Sequence, residues 1–227
     1  MDGDEVQRAQ REEERFLAGP DGTLAYLLRL GRIGLEFVRG FRAMRPVRDG
    51  VTVFGSARFG EEHPYYAEGR DVGQHLARSG FTVITGGGPG LMEAANRGAK
   101  DVNGRSVGCS IQLPMEQLPN PYLDVLINFR YFFVRKVMLV KYSRAFVVLP
   151  GGFGTLDEVF ETATLVQTAK IHRFPIVLMG SAFWIPVLDV LRDTLVASGT
   201  IDESDLELLW LTDSGAEAVT WIEQGIR

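Results

Sequence analysis

Seven short runs of mostly apolar residues alternate with stretches of helical periodicity in this chain: Val51–Gly55, Phe81–Thr85, Ser106–Leu113, Val125–Phe129, Ala145–Leu149, Pro175–Met179 and Leu208–Leu211. A strand that is apolar on both sides has no face to give to water. It belongs in a parallel sheet covered by helices above and below. Right-handed crossovers then wind the chain into an α/β fold, a Rossmann-like doubly wound parallel sheet flanked by helices. The expected helices are Tyr65–Ser79, Leu91–Lys100, Tyr131–Tyr142, Thr155–Ala169, Phe183–Ser198 and Ser214–Glu223. In front of the sheet lies an N-terminal helical extension, Thr23–Met44, whose Leu24, Leu27, Leu28, Leu35 and Val38 recur at helical spacing. Arg45-Pro46 stops it, because proline disfavours α geometry in the residue before it. That stripe is read as a core or subunit contact. Residues 1 to about 20 are charged and end at Gly19-Pro20, the pattern of a mobile arm or a solvated helix. The division is thus 1–45 for arm and helix and 46–227 for the Rossmann-like domain.

Composition narrows the function. With 227 residues and 45% hydrophobic content, the chain can bury a sizeable core, which excludes disorder. Cys109 is the only cysteine, so no disulfide scaffold exists, and a thiol on a strand reads as a small core hydrophobe. The balance of 24 basic and 29 acidic residues, net −5, gives no global attraction for nucleic acid. Arg29, Arg32, Glu36, Arg39 and Arg42 interrupt the apolar stretch Leu24–Met44, so it is not a membrane span. Asp2, Asp4, Glu5, Glu12, Glu13 and Glu14 make the start the opposite of a signal peptide, and a cytoplasmic protein is expected. His63, His75 and His172 are scattered, with no cysteine or carboxylate at ligand spacing, so no metal is expected.

In doubly wound sheets, ligands lie beyond the carboxyl ends of the strands. Three such ends carry glycine: Phe54-Gly-Ser-Ala, Thr85-Gly-Gly-Gly-Pro-Gly and Pro150-Gly-Gly-Phe-Gly-Thr. Glycine allows a ligand to approach the backbone, and a following helix N-terminus supplies N–H groups and partial positive charge for an anion. The turn ending at Gly90 is not G-x-G-x-x-G, and Ser110 and Gln112 stand where a ribose-binding acid would be expected. No P-loop motif is present. In Pro150-Gly-Gly-Phe-Gly-Thr-Leu-Asp-Glu158, the apolar positions Leu156, Val159, Phe160 and Ala163 are assigned to the core. Thr155, Glu158 and Thr162 are then left toward the strand ends. Taken alone, Glu158 is an acid complementing a helix dipole, worth about 0.3–1 kcal/mol. Arg135-Lys136 falls in the helix after the fourth strand, beside the Gly151 turn if strand order follows the sequence. Arg135 lies one turn before Met138 and Leu139 and so starts from a partly buried surface. A fixed guanidinium there suits a phosphate or carboxylate.

Gly86-Gly-Gly-Pro-Gly-Leu-Met, Arg135-Lys136 and Pro150-Gly-Gly-Phe-Gly-Thr-Leu-Asp-Glu158 together resemble the signature of the LONELY GUY family over roughly Val51 to Trp184. Members are phosphoribohydrolases that release a base from nucleoside 5′-monophosphates, including cytokinin precursors, and many were labelled lysine decarboxylase-like. The resemblance implies that 46–227 is a nucleotide-binding catalytic domain, with Arg135 and Glu158 catalytic. It also implies that Lys136, Gly152, Phe153, Gly154, Thr155 and Leu156 bind substrate, joined by Glu116 and Thr164. The substrate-binding candidates further include Gly87 and Gly88 of the first glycine turn, Gly151 and Asp157 of the second, and Ser56 and Met92. Ser56, Met92, Glu116 and Phe132 are expected to line the base. No cofactor is expected, and the resemblance implies a homodimer or larger homo-oligomer, with a site that borrows residues across the interface. The long N-terminal segment, Phe54-Gly-Ser-Ala-Arg and the Pro114–Tyr122 loop depart from the plant-type pattern.

The expected reaction is hydrolysis of the N-glycosidic bond of AMP or a cytokinin riboside 5′-monophosphate, with the phosphate on the N–H groups of Gly152, Phe153, Gly154 and Thr155. Two other readings compete. A pyridoxal phosphate decarboxylase needs a Schiff-base lysine, and Lys100, Lys136, Lys141 and Lys170 all fall within or near helices. A non-catalytic nucleotide or molybdenum-cofactor carrier or sensor of related fold would use the same glycine cradle, but has no need of Arg135 and Glu158 together.

Overall fold

The computed structural model describes residues 18–19, 22–111, 118–172 and 174–226. Nearly all of the expected N-terminal arm, and Glu116 with the rest of 112–117, lie outside the described residues. The elements run α1 (Thr23–Met44), β1 (Gly50–Phe54), α2 (Pro64–Arg78), β2 (Thr82–Thr85), α3 (Leu91–Asp101), β3 (Ser106–Ile111) and β4 (Val125–Phe129). They continue with α4 (Phe132–Lys141), β5 (Ser143–Val148), α5 (Phe153–Gln167), β6 (Ile176–Met179) and α6 (Ser181–Val190). The short α7 (Glu203–Leu206), β7 (Leu209–Thr212) and α8 (Gly215–Gly225) complete the chain. A π-helical turn, Leu191–Val196, extends α6, where one unbroken helix to Ser198 was expected.

All seven strands pair in parallel, in the order β4-β3-β2-β1-β5-β6-β7. The doubly wound sheet is therefore as expected. The strand order is not sequential, however: β4 is an edge strand, with β3, β2 and β1 between it and β5. The chain reverses its direction of winding between β1 and β5, which opens the crevice where such sheets bind ligands.

Side chains alternate across the strands. Val51, Val53, Val83, Ala145, Val147 and Val177 pack with Leu76 of α2, Leu91 and Ala95 of α3 and Ile222 of α8. On the other face, Ile84, Val107, Phe146, Val148, Ile176 and Leu178 pack with Met138 and Leu139 of α4, Val159 of α5 and Trp184 of α6. Helix α1 joins this second layer from Ile33 onward. The docked positions are Ile33, Phe37, Gly40 and Met44. Gly40 lets the helix lie close there, because a Cβ would stand 3.0 Å from both Met138 Cε and Phe129 Cε1.

Of the two readings of this periodic stripe, the core one is thus corrected. Leu24, Leu27, Leu28, Leu35 and Val38 are all exposed, because the helix turns its narrower Ile-Phe-Gly-Met row to the sheet layer. Its end is where proline placed it. Yet Arg45 keeps α geometry, and the stop comes from the N–H that Pro46 lacks, with Val47 N–H donating to the Met44 carbonyl at 2.8 Å.

Candidate active site

The three glycine turns are laced together at the carboxyl edge of the sheet. Ser56 N–H donates to the Pro150 carbonyl at 3.0 Å, and the Ser56 carbonyl accepts from Leu91 N–H at 3.0 Å. Ser56 is therefore a backbone tie between all three turns, and its hydroxyl accepts from Arg58 N–H. The glycines serve different ends. Gly87 and Gly90 have φ of +74° and +70°, a left-handed geometry that side chains resist. A buried polar network supports this turn. Thr85 Oγ1 accepts from Gly87 N–H and donates to Asn96 Oδ1, while Asn120 Nδ2 donates to Asn96 Oδ1 and to the Gly88 carbonyl. Asn96 and Asn120 position the turn and were not singled out from sequence. The available signal was a lone asparagine within the small buried stripe Leu91, Ala94, Ala95, Gly98 and Ala99 of α3.

The second turn has no positive φ. A Cβ on Gly151 would run into the Thr155 side chain, whereas Gly152 and Gly154 face open space. Among the described residues, no hydrogen bond uses the N–H groups of Gly152, Phe153 or Gly154. Thr155 N–H, expected to join the anion cradle, instead donates to the Gly152 carbonyl at 3.0 Å, as does Leu156 N–H. The turn closes on itself one residue into the helix. Three consecutive N–H groups at the N-terminus of α5 remain for an anion.

Helix α5 buries Thr155, Glu158, Val159 and Thr162. The expected core face was offset from this one: Phe160 is exposed, while Leu156 and Ala163 are only partly buried. Glu158 is 4% exposed. Across from it comes Arg135 on α4, which reaches the site because the crossover from edge strand β4 to central β5 carries α4 back over β3 and β2. A guanidinium nitrogen of Arg135, Nη2, lies 3.5 Å from where a Cβ on Gly86 would stand, and Met92 Sδ lies 2.8 Å from the same point. Met92 and Arg135 therefore both roof the first glycine turn.

Burial pushes the Glu158 carboxyl up to about 7, although Arg135 and Lys136 pull it down. Burial likewise lowers Arg135, against the opposing field of Glu158. Arg135 Nε, Glu158 Oε2 and Thr162 Oγ1 are buried without a hydrogen-bond partner. Such groups are rare in a settled interior and expected where a ligand supplies the partner. Burial also drives the neighbouring Cys109 thiol up to about 12, so it behaves as the core hydrophobe expected.

The remaining candidates lie further out. Lys136 Nζ is forked between Asp157 Oδ2 and Glu161 Oε2, each at 2.8 Å, and ties α4 to α5. Burial opposes its charge, but these two carboxylates hold the ammonium above its ordinary value. Thr164 is exposed and donates to the Phe160 carbonyl at 2.7 Å. Phe153 is 93% exposed beside the cradle, and Phe132 is about half exposed. The described residues contain no group of three or more potential metal ligands, and no described helix is long and apolar enough to cross a membrane. A surface hollow of about 310 Å³ between α2 and α3 lies apart from this site. Its charges are engaged, Arg97 with Glu61 at 2.8 Å and Arg70 with Asp101 at 2.5 Å.

Residues 92–222 match the family model described as "Possible lysine decarboxylase", which takes in α3 to most of α8 and leaves α1 upstream. A probable cytokinin riboside 5′-monophosphate phosphoribohydrolase of Oryza sativa subsp. japonica is 30% identical over 77% of this chain and 76% of its own length. The cytokinin riboside 5′-monophosphate phosphoribohydrolase of Mycobacterium tuberculosis is 31% identical over 66% of this chain and 80% of its own length. Among solved structures, the molybdenum cofactor binding protein of Rippkaea orientalis superposes with a TM-score of 0.58 at 22% identity, over 80% of this chain and 99% of that one. That likeness is one of fold.

Proposed function

The chain belongs to the LONELY GUY family of phosphoribohydrolases, and from that premise we propose that it hydrolyses the N-glycosidic bond of nucleoside 5′-monophosphates to free base and ribose 5-phosphate. The observation that carries this reading is the buried pair Arg135 and Glu158, each with an unpartnered polar atom, beside three free N–H groups at a helix N-terminus.

The 5′-phosphate lies on the N–H groups of Gly152, Phe153 and Gly154, in the positive end of the α5 dipole. Anchored there, the ribose falls toward Glu158, one helical turn on. As the bond from C1′ to the base nitrogen breaks, positive charge develops on the ribosyl ring, as in glycoside hydrolysis. The Glu158 carboxylate stabilises that charge through the ribose hydroxyls or the incoming water, and takes the proton that water loses on bonding to C1′. The bonding pair leaves with the base, whose negative charge faces the Arg135 guanidinium before a proton reaches the nitrogen. Low exposure strengthens both interactions.

The decarboxylase wording of the family model has no counterpart in these residues. A Schiff-base lysine must be able to lose its proton, and Lys136, the lysine next to Arg135, is held charged by two carboxylates. Lys100 is paired with Asp124, and Lys141 lies over the Phe41 ring. The site residues thus do not fit pyridoxal phosphate.

The active assembly in this reading is a homo-oligomer in which α4 and α5 meet a second copy. The Lys136 fork links these helices, and Phe133, Val137, Phe153 and Phe160 are exposed on them. Asp157 and Thr164 share that outer side of α5, where a neighbouring subunit would bring them into use.

The test is release of free base and ribose 5-phosphate from AMP, with adenosine as the control and a cytokinin riboside 5′-monophosphate alongside. Cleavage of the monophosphates but not of adenosine is expected. Tight nucleotide binding without cleavage would move the assignment to a carrier or sensor.

A further inference from the structure

Helix α4, which carries Arg135, has no cap of its own, since its N-cap residue Tyr131 makes no side-chain capping bond. The cap comes from 95 residues upstream. Glu36 Oε1, midway along α1, accepts from the N–H groups of Arg130 and Tyr131, both at 3.0 Å. The N–H groups of the N-cap residue and of the residue before it are thereby satisfied by one carboxylate, whose charge also complements the helix dipole. Arg135 follows directly: its own N–H donates to the Tyr131 carbonyl at 3.2 Å, closing the first turn. Further along, Gly40 approaches Met138 closely, and the Tyr142 hydroxyl donates to the Phe41 carbonyl at 3.3 Å.

We infer that Glu36 is a positioning residue for the proposed hydrolysis, holding the first turn of α4 so that the Arg135 guanidinium stays over the glycine turn Gly86–Gly90. The inference rests on the role given to Arg135 in the proposed function. A guanidinium desolvated to this degree gains by moving toward water, and the move open to it is fraying of the α4 N-terminus. The Glu36 cap opposes that movement. It also gives α1 a role in the site.

The experiment compares Glu36→Ala, Glu36→Gln and Tyr142→Phe in the full chain, with steady-state base release from AMP and crystal structures of the wild type and Glu36→Ala. Displacement of a reacting group by about 1 Å can cost about 100-fold in rate. Glu36→Ala is therefore expected to lower kcat at least about tenfold while KM moves less. Glu36→Gln keeps an acceptor oxygen and is expected to recover most of that loss. Tyr142→Phe cuts the α1–α4 tie at the far end of α4 and is expected to leave kcat unchanged. In the Glu36→Ala crystal the guanidinium should have left its place beside Gly86.

Wild-type kcat in Glu36→Ala would overturn the inference. So would equal losses in all three variants, which would mean only that α1 must stay docked. If the wild type cleaves no nucleoside monophosphate, the proposed function fails separately. The crystals then decide alone, and an unmoved guanidinium overturns the positioning role.

Discussion

At Glu158, burial and the nearby charges of Arg135 and Lys136 pull in opposite directions, and burial prevails, leaving the carboxyl at about 7. The sign of the consequence can be worked out. An ordinary unfolded glutamate titrates near 4.5, so between about 4.5 and 7 the folded state holds a proton that the unfolded state has lost. The contribution to stability is complete below 4.5 and disappears as pH rises through 7. Thermal melts of the wild type should therefore fall across that interval by an amount that Glu158→Gln does not show, and parallel slopes in the two proteins would contradict the shift. In the reaction, the ionised form is the one that takes a proton from water, so kcat/KM for AMP should rise through an inflection near pH 7. Glu158→Gln should lose about 10²- to 10⁴-fold in turnover, the span typical of a lost proton-transfer group. Its place in the motif was legible in the sequence, but its burial was not. Hydropathy selects Leu156, Val159, Phe160 and Ala163, while the buried row is Thr155, Glu158, Val159 and Thr162. The two faces differ by one residue, about 100° of helix rotation. Threonine packs much as valine does, so apolar periodicity alone cannot tell the faces apart.

Between elements, the decisive contacts join residues far apart in sequence. Arg135 was expected beside the Gly151 turn because strands four and five would be neighbours. It comes near Glu158 by another route, with β4 at the sheet edge and α4 crossing back above β3 and β2. Nothing local encodes strand order, since every strand is apolar and parallel pairing asks little of any one residue. The Glu36 cap on α4 was hidden for the same reason, as was the Asn96–Asn120 network under Gly87 and Gly88. The glycine turns, by contrast, were legible, because positive φ and close approach leave few alternatives to glycine. The fork of Lys136 on Asp157 and Glu161 supplies a test at this level. Its groups are partly exposed, so the pair adds little stability, at most about 1 kcal/mol. Its charge nevertheless helps hold Glu158 down. Lys136→Ala should therefore move the inflection in kcat/KM to higher pH with only a small loss of melting temperature. An inflection that stayed in place would remove Lys136 from the electrostatics of the site.

Across the whole molecule, apolar surface is distributed unevenly. The sheet is covered on both faces at its centre, while edge strand β4 leaves Leu126 exposed, and Leu24, Leu27, Leu28 and Leu30 at the start of α1 are all more than half exposed. Phe132, Phe133 and Val137 on α4 and Phe160 on α5 are each about 40–50% exposed. Single chains seldom leave contiguous apolar patches of this kind uncovered. Phe133 and Val137 are one turn apart on α4, and the Lys136 ion pairs link this helix to α5, where Phe160 is also exposed. A second copy presenting the same face would bury it by two-fold symmetry, the commonest closed arrangement of identical subunits. Introducing glutamate at both Val137 and Phe160 places like charges against each other across such an axis. Light scattering should then report the mass of one chain where the wild type gives a multiple of it, and turnover of AMP should fall with it if Thr164 and Asp157 serve a neighbour's site. A wild type that already has the mass of one chain would mean that this face does not pair two copies, and the site would have to be complete within the single subunit.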